Sequence, residues 1–323
     1  MKASNLLDMI GDTDDTIIKE AKERKKNVTL RWNKWIAIAA CFCIAVVGIV
    51  SIICTSNTKV AVESIKDTSI NNTDGVYIPA VELPEKTDAV EMDMIAFVVY
   101  KGSIYTQAES YYKEDADKID ELVGSYLGYA TGSINEWSTQ DEYTKEFASS
   151  LEGEVYEVKG YDKDFRICVR SEYENEAGEK YLSIQFLDHL NDITLKTGED
   201  LFESRLHIAD RVIDIQYQNH DDWDYGKDNI QNTDIDSHLW KEFVNQINNA
   251  DFIYTGDSSK SSDTIYDNQN QVHISLTMND GTVISLRLIE GGYVGYDSLA
   301  GYFVKIPGET FDAVFSACGG SVK

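Results

Sequence analysis

The sequence predicts an α+β fold: antiparallel sheets with helices packed on one face, preceded by a single transmembrane helix. Three observations predict it. An uncharged run of nineteen residues extends from Ile36 to Cys54. Beyond it, short apolar or alternating segments bounded by turn residues indicate strands, and amphipathic segments at helical spacing lie between them. Because hairpin turns join many of the strands, we expect small antiparallel sheets rather than a parallel arrangement.

The uncharged run is long enough to cross a bilayer. At about 1.5 Å per residue, a helix of this length spans roughly 28 Å, close to the ~30 Å hydrocarbon core. A helix buried in a soluble domain is expected to keep a polar face, and this run has none. Trp32 and Trp35 precede it, where an interfacial aromatic belt is expected.

A cleaved signal peptide and a lipoprotein anchor are the alternatives. A signal peptide has a short charged region and a small-x-small cleavage site, whereas here a 34-residue segment comes first and no such site follows Cys54. Ile38-Ala39-Ala40-Cys41 loosely fits a lipoprotein cleavage box, but thirteen more uncharged residues follow Cys41. Bulky Ile53 argues against cleavage before Cys54. We therefore expect an uncleaved transmembrane helix.

Charge beside the run sets its orientation and the domain boundaries. Two cations, Lys59 and Lys66, follow the run, and six precede it: Lys22, Arg24, Lys25, Lys26, Arg31 and Lys34. The positive-inside rule then keeps the N-terminus in the cytoplasm and exports the rest. The predicted organisation is a cytoplasmic tail (1–34), a transmembrane helix (35–54), a linker (55–75) and an extracytoplasmic region (76–323) with two candidate subdomains (76–208 and 209–323).

The exported part is strongly acidic. The whole chain has 29 Lys/Arg and 56 Asp/Glu; residues 1–54 hold eight and six of them, which leaves 21 and 50 beyond, a net charge of −29. Such a field repels nucleic acid and anionic lipid headgroups, so we expect no phosphate-rich partner. It could attract divalent cations or basic peptides, but a well-solvated surface is the simpler interpretation.

The first half of the exported region reads as a hairpin, a helix and three strands. The hairpin joins MIAFVVY (94–100) to SIYTQ across Lys101-Gly102, and a helix is predicted from about Asp115 to Leu127. The three strands are EVYEVKG, FRICVRSEY and KYLSIQFL, and the last two are joined by a turn over Glu174–Glu179.

The second half repeats this mixture of strands and helices. It opens with the strand VIDIQYQ and the helix HLWKEFVNQINNA (238–250). VHISLTM and TVISLRLIE then flank Asn279-Asp280-Gly281, a strong hairpin signal. The strand GYFVKI and a helix after Pro307 close the chain.

The cytoplasmic tail carries two short apolar stripes. Leu6, Leu7 and Ile10 form one, and Ile17 and Ile18 lie on a second predicted helix. The tail is too short to bury these stripes by itself, so it needs a protein partner, the membrane surface or disorder.

No catalytic motif occurs in the sequence, so we expect neither an enzyme nor a cofactor. The five histidines stand apart, and His273 falls on the polar side of its strand, which predicts solvent exposure. An acidic segment offers weak candidate Ca²⁺ ligands, although a solvated loop before a helix is the favoured interpretation. The candidates are Asp221, Asp222, Asp224 and Asp228. In GGYVGYDSLAGY (291–302), glycines permitting a bend are favoured over a phosphate-binding loop.

The cysteines leave one question open. Cys41, Cys43 and Cys54 lie in the uncharged run, and Cys168 and Cys318 are the exported pair. Cys318 continues an apolar helical stripe and should point into a core. A disulfide between Cys168 and Cys318 is compatible with export, but two core thiols are favoured.

The segments LLDMIGDTDDTIIKEAKERKK and RWNKWIAIAACFCIAVVGI together resemble the start of single-pass membrane proteins of Gram-positive bacteria, some of which act as anti-sigma factors or envelope sensors. The outer sequence, including VYEVKGYDKDFRICVR, resembles uncharacterised exported proteins of such bacteria. The resemblance implies a membrane-anchored sensor or regulator whose tail contacts a cytoplasmic partner such as a sigma factor. The alternative is an exported binding or structural module whose tail is only an anchor.

Overall fold

The computed structural model describes residues 75–81, 96–134, 138, 140–175, 178–256, 265 and 270–322. The predicted cytoplasmic tail, the uncharged run and almost all of the linker lie outside these ranges. Within them, no helix combines the length and the apolar character needed to cross a membrane.

The described residues form two large sheets, a two-stranded ribbon and several helices. The strands of the first half are β1 (Val76–Ile78), β2 (Phe97–Tyr100), β3 (Ser103–Tyr112), β4 (Val123–Thr131), β5 (Glu152–Val158), β6 (Arg166–Glu174), β7 (Lys180–Asp188) and β8 (Ile193–Leu195). Those of the second half are β9 (Val212–Asn219), β10 (Gln231–Asn232), β11 (Phe252–Tyr254), β12 (Gln271–Met278), β13 (Val283–Ile289), β14 (Tyr293–Tyr296) and β15 (Tyr302–Lys305). The helices are α1 (Glu114–Ile119), α2 (Gln140–Tyr143), α3 (His220–Asp224), α4 (Ser237–Asn249) and α5 (Glu309–Ala317), with a 3-10 turn at Asp120–Leu122 and a π-helical turn at Glu199–Glu203.

The sheets are antiparallel throughout. One has the strand order β2-β3-β7-β6-β5-β4 and the other β10-β9-β12-β13-β14-β15-β11, while β1 pairs with β8. The first sheet is therefore built from residues 97–188 and the second from residues 212–305. This confirms the predicted α+β class of mostly antiparallel sheets with a few helices.

The predicted hairpins are confirmed, and their turn residues explain them. Lys101 and Gly102 both have positive φ, 51° and 76°, in the turn between β2 and β3. Gly281 has φ 86° in the turn between β12 and β13, where the Asp280 carboxylate accepts the Thr282 N–H at 3.0 Å. Such turns favour Gly, Asn and Asp because these residues tolerate positive φ or bond the neighbouring backbone.

Helices α4 and α5 form where helical periodicity predicts them. Asp236 caps α4 by accepting the N–H groups of His238 and Leu239, at 2.8 and 3.3 Å. The two helices contact each other through Phe243 and Phe311, whose ring centroids are 6.5 Å apart. Their buried faces consist of Trp240, Phe243, Val244 and Ile247 on α4 and Phe311, Val314 and Phe315 on α5.

One hydrophobic core is common to both sheets. It contains Ile184 and Phe186 of β7 together with Leu286 and Leu288 of β13, and it includes the buried faces of α4 and α5. A smaller cluster lies elsewhere on the first sheet, around Val98, Val155, Ile167, Val169 and Leu187. The two predicted subdomains, 76–208 and 209–323, therefore bury apolar surface against each other.

The helix predicted from Asp115 to Leu127 is wrong in its second half. Helix α1 and the 3-10 turn end at Leu122, and β4 begins at Val123. Residues 123–131 pair with β5 instead, with register shifts on either side of Tyr126. Gly124 and Gly128 weaken a helix here, and a Cβ at residue 128 would clash with the Phe147 ring. Tertiary packing therefore overrides the local apolar spacing.

Cys168 and Cys318 are free, buried thiols. Burial raises the pKa of Cys168 and of Cys318 to about 12, so both stay protonated. Cys318 lies in the shared core, as its helical spacing predicts. The favoured prediction of two core thiols is confirmed.

Replacing Phe186 by alanine tests the shared core. Phe186 is 1% exposed, and its loss should lower the free energy of unfolding by about 3–5 kcal/mol. Far-UV circular dichroism and tryptophan fluorescence should still report one coincident urea transition, because Trp240 belongs to the same core. The matched control is Ile213→Ala, since Ile213 is 67% exposed and should change stability by less than about 0.5 kcal/mol. Two separate transitions in the Phe186→Ala protein would show that the sheets unfold independently.

Candidate functional site

A buried ion pair links neighbouring strands of the first sheet. Arg166 begins β6 and Asp188 ends β7, and the antiparallel register places them directly opposite each other. The Arg166 Nε and Nη2 groups donate to Asp188 Oδ1 and Oδ2 at 2.7 and 2.8 Å. Both side chains are at most 1% exposed. Two parallel charge-assisted bonds are the strongest arrangement for such a pair, and they offset part of the cost of burying it.

Tyr296, at the end of β14, connects this ion pair to the second sheet. Its hydroxyl donates to Asp188 Oδ2 at 2.9 Å and accepts from Arg166 Nη2 at 3.2 Å. Burial and the nearby Asp188 carboxylate raise the pKa of Tyr296, so the hydroxyl keeps its proton. The three side chains form one closed hydrogen-bonded set that spans the two sheets.

Aromatic rings enclose the guanidinium group. Its central carbon lies 4.6 Å from the Tyr161 ring centroid, 5.2 Å from that of Phe165 and 5.4 Å from that of Phe186. Arg166 Nη1 is buried and has no hydrogen-bond partner within the described part of the chain. Burial lowers the pKa of Arg166, but Asp188, Tyr296 and Tyr161 together raise it well above its usual value. The ring faces help to hold the remaining charge.

Glu109 is a second buried acid close to the ion pair. It lies where the pairing of β3 with β7 shifts register between Gln107 and Ser110, and such irregularities redirect side chains. The Ser285 hydroxyl of β13 donates to Glu109 Oε1 at 3.0 Å. Burial raises the pKa of Glu109 to about 8, although the Ser285 bond and Arg166 act in the opposite direction. Glu109 is therefore mostly protonated at neutral pH.

A chain of hydrogen bonds through two histidines lies on the second sheet. His273 Nδ1 is 3.3 Å from Asp297 Oδ2, and His273 Nε2 is 3.2 Å from Nδ1 of His220 on α3. Arg287 Nε lies 3.4 Å from the other Asp297 oxygen. Burial lowers the pKa of His273 to about 4, against the opposing effect of Asp297. Burial and Arg287 also lower the pKa of His220.

Trp223 of α3 covers His273. The two rings are nearly parallel, at 5°, with centroids 3.8 Å apart. The Arg287 guanidinium lies 5.1 Å from the Trp223 ring centroid. Helix α3 thus closes over the histidine chain with one aromatic and one hydrogen-bonding side chain.

These groups can hold protons and charges, but no nucleophile activated by a base is seen among them. Their acids and bases point at one another within the protein. Among the described residues, no set of three or more His, Cys, Asp or Glu side chains is arranged to hold a metal ion.

His273 and the acidic segment differ from their predicted environments. The predicted exposure of His273 is wrong: it is 5% exposed, because α3 packs over the face that alternation assigns to solvent. The acidic segment begins with the short helix His220–Asp224 and continues without helix through Asp228. The Asp222 carboxylate is occupied by Lys227, Asn219 and Asn229 at 2.7, 2.8 and 2.6 Å. The Ca²⁺ prediction for Asp221, Asp222, Asp224 and Asp228 thus gains no support from the described residues.

Other predictions lie outside the described residues or are refined by them. The apolar stripe residues of the tail are not among those described; they are Leu6, Leu7, Ile10, Ile17 and Ile18. In the segment 291–302, Gly291 and Gly292 both have φ 94°, which supports the predicted bend. No sequence pattern indicates that the same segment supplies Tyr296 and Asp297 to the buried polar groups. One usable signal is Arg166, a charged residue that stands between the apolar Phe165 and Ile167.

Comparison with known proteins gives no relatives for this chain. No family model matches it, and neither the curated proteins nor the solved structures contain a match.

Replacing Glu109 by glutamine tests the buried acid. The folded-state pKa is raised from 4.5 to about 8, so the folded protein holds a proton that the unfolded chain releases. The contribution of Glu109 to the free energy of unfolding is fully present below pH ~4.5. It is lost as pH rises toward ~8, at up to about 1.4 kcal/mol per pH unit. Urea titrations from pH 4.5 to 9 should show this slope in the native protein and a reduced slope in Glu109→Gln. Equal slopes in the native protein and Glu109→Gln would mean that Glu109 is ionised in the folded protein. The control is Glu199→Gln, at an exposed glutamate, which should keep the native slope.

Proposed function

We propose that this chain is a membrane-anchored extracytoplasmic sensor or regulator that acts on a cytoplasmic partner, in the manner of an anti-sigma factor. Its single transmembrane helix precedes an acidic α+β domain with helices packed on one face of its sheets. The tail carries the output and the domain receives the signal.

The observation that carries this proposal is the position of the uncharged run. Residues 36–54 lie between a basic segment and an acidic region, and the described fold begins at residue 75, beyond the run. The charge difference favours a cytoplasmic tail and an exported domain. Two separate compartments joined by one helix are what a transmembrane regulator requires.

The character of the described polar cluster supports regulation rather than catalysis. Arg166, Asp188, Glu109 and His273 are all at most 5% exposed, so a substrate could reach them only if the structure opened. Catalytic groups are usually placed where a concave pocket admits the substrate. Buried groups that pair with each other are better suited to setting the stability of a fold.

The tail supports a protein partner through its apolar stripes. Leu6, Leu7 and Ile10, followed by Ile17 and Ile18, recur at helical spacing in a segment too small to bury them. A short amphipathic helix of this kind binds in a groove of another protein with modest affinity. The resemblance of the tail to anti-sigma segments makes a sigma factor the specific partner we propose, and the lipid bilayer holds the remainder of the N-terminal segment.

A pull-down from detergent-solubilised membranes tests this function. The full chain should recover a sigma factor, and the double variant Ile17→Asp with Ile18→Asp should recover at least tenfold less, because two charges on the apolar stripe oppose burial in a groove. The matched control, Thr13→Asp with Thr16→Asp, adds the same charge beside the stripe and should retain recovery.

Two results would count against the proposal. Equal recovery by the Ile17/Ile18 variant would show that the stripe is not the contact. Absence of any specific protein from all three preparations would favour the alternative, an exported binding or structural module whose tail serves only as an anchor.

A further inference from the structure

The two histidines that face each other lie in a straight line. The ring centroids of His220 and His273 are 5.5 Å apart and the facing nitrogens 3.2 Å apart. The difference, about 2.3 Å, is roughly twice the distance from an imidazole centroid to one of its nitrogens. The two facing nitrogens therefore lie on the line that joins the ring centroids. This is the geometry of an N–H···N hydrogen bond. A metal ion has no room between these atoms, since each Zn–N bond alone needs about 2 Å.

The Asp297 carboxylate decides which nitrogen carries the proton. A carboxylate only accepts, so we assign the His273 proton to Nδ1, which donates to Asp297 Oδ2 across 3.3 Å. The His273 Nε2 atom is then left as an acceptor, and His220 Nδ1–H donates to it. In this arrangement both imidazole rings are neutral, and one proton lies between the facing nitrogens of His220 and His273.

Acid changes the hydrogen bond between His220 and His273 in two steps. One added proton can bind the outer nitrogen of His220 without breaking a bond. Once His220 carries that proton, a further proton on His273 must go to Nε2, and two N–H groups then point at each other. His273 cannot relieve the clash by rotation, because Trp223 stacks on it at 3.8 Å and Asp297 holds its other nitrogen. Helix α3 is the element that can move.

The surrounding charges act on this contact from several elements. Arg287 on β13 opposes protonation of both histidines, whereas Asp297 after β14 favours it. On α3 itself, Asp221 and Asp224 favour protonation of His220. From β9, the neutral Gln218 lies opposite His273 in the register. Burial outweighs the acidic groups, so the closed state favours neutral rings.

We propose that α3 is an acid-sensitive latch, held on the second sheet by the His220–His273 hydrogen bond and released when both rings are protonated. Release exposes Trp223 and the His273–Asp297 pair while the shared core stays folded. Lys227 pairs with the Asp222 carboxylate and holds the turn after α3 to the helix, while Asn219, the last residue of β9, caps the helix at Asp222 N and keeps its first turn attached to the sheet.

The pH range of the latch follows from the direction of the pKa shifts. Both histidines have pKa values below 6.5 when closed, so the closed state is fully stable above pH ~6.5 and loses stability as pH falls toward ~4. For His273 alone, with a pKa of about 4 closed and 6.5 open, the open-to-closed ratio should rise roughly 30-fold between pH 7.5 and pH 5. As a signal for an exported domain, the latch rests on the proposed function.

Fluorine NMR of the full chain in lipid nanodiscs, labelled with 5-fluorotryptophan, tests the latch. The chain has five tryptophans, and Trp223→Phe assigns the signal of interest. That signal should move to its solvent-exposed position with a midpoint between pH 6.5 and 4, while the signal of buried Trp240 stays unchanged and shows that the core remains folded.

Two variants make the result decisive. In His220→Asn the amide nitrogen can replace Nδ1 as donor, and the amide can turn to present its oxygen to protonated His273, so the transition should disappear or shift by at least one pH unit. His238→Asn, at an exposed histidine on α4, should titrate like the native protein. A Trp223 signal that is constant to pH 4, or that titrates identically in His220→Asn, would overturn the latch. Neither result bears on sigma-factor recovery at pH 7.5, so the proposed function would be judged separately.

Discussion

The described domain depends on a charge pair that it buries completely. Arg166 and Asp188 are opposed by the register of β6 and β7, and Tyr296 ties them to the second sheet. Removing two charges from water costs several kcal/mol each, which only good geometry and added hydrogen bonds offset. The pair therefore does little for stability by its mere presence, but it strongly disfavours any packing of the two sheets that leaves either charge unpaired. It specifies how the halves fit together.

The same burial gives neighbouring groups opposite pH responses. Glu109 is held protonated and His273 is held neutral, each because the interior disfavours its charged form. Rising pH acts against the first and falling pH against the second. The two groups also differ in what they hold: Glu109 bonds the sheets to each other through Ser285, whereas His273 bonds the small helix α3. Rising pH thus destabilises the contact between the two sheets, whereas falling pH destabilises only the contact of α3 with the second sheet.

Local patterns predict the elements of this fold but not its polar site. The β2–β3 and β12–β13 hairpins follow from alternating apolar residues and turn-forming Lys-Gly and Asn-Asp-Gly sequences, and α4 follows from its apolar spacing. The site joins residues that are distant in sequence, and Arg166 and Tyr296 are 130 positions apart. Alternation also misplaced His273, because it assumes that one face of a strand meets water. Which face a small helix covers depends on the whole fold.

Hydrogen exchange of the full chain carrying Asp188→Asn tests the central claim, that the buried ion pair joins the two sheets. Leaving Arg166 without its counter-charge should cost about 3–5 kcal/mol, and protection should fall in both β6–β7 and β12–β13. Asp115→Asn removes the partner of Lys118 in an exposed pair and should alter protection little. Loss of protection confined to the first sheet, or a cost below about 1 kcal/mol, would contradict the account, since the second sheet would then not depend on the pair.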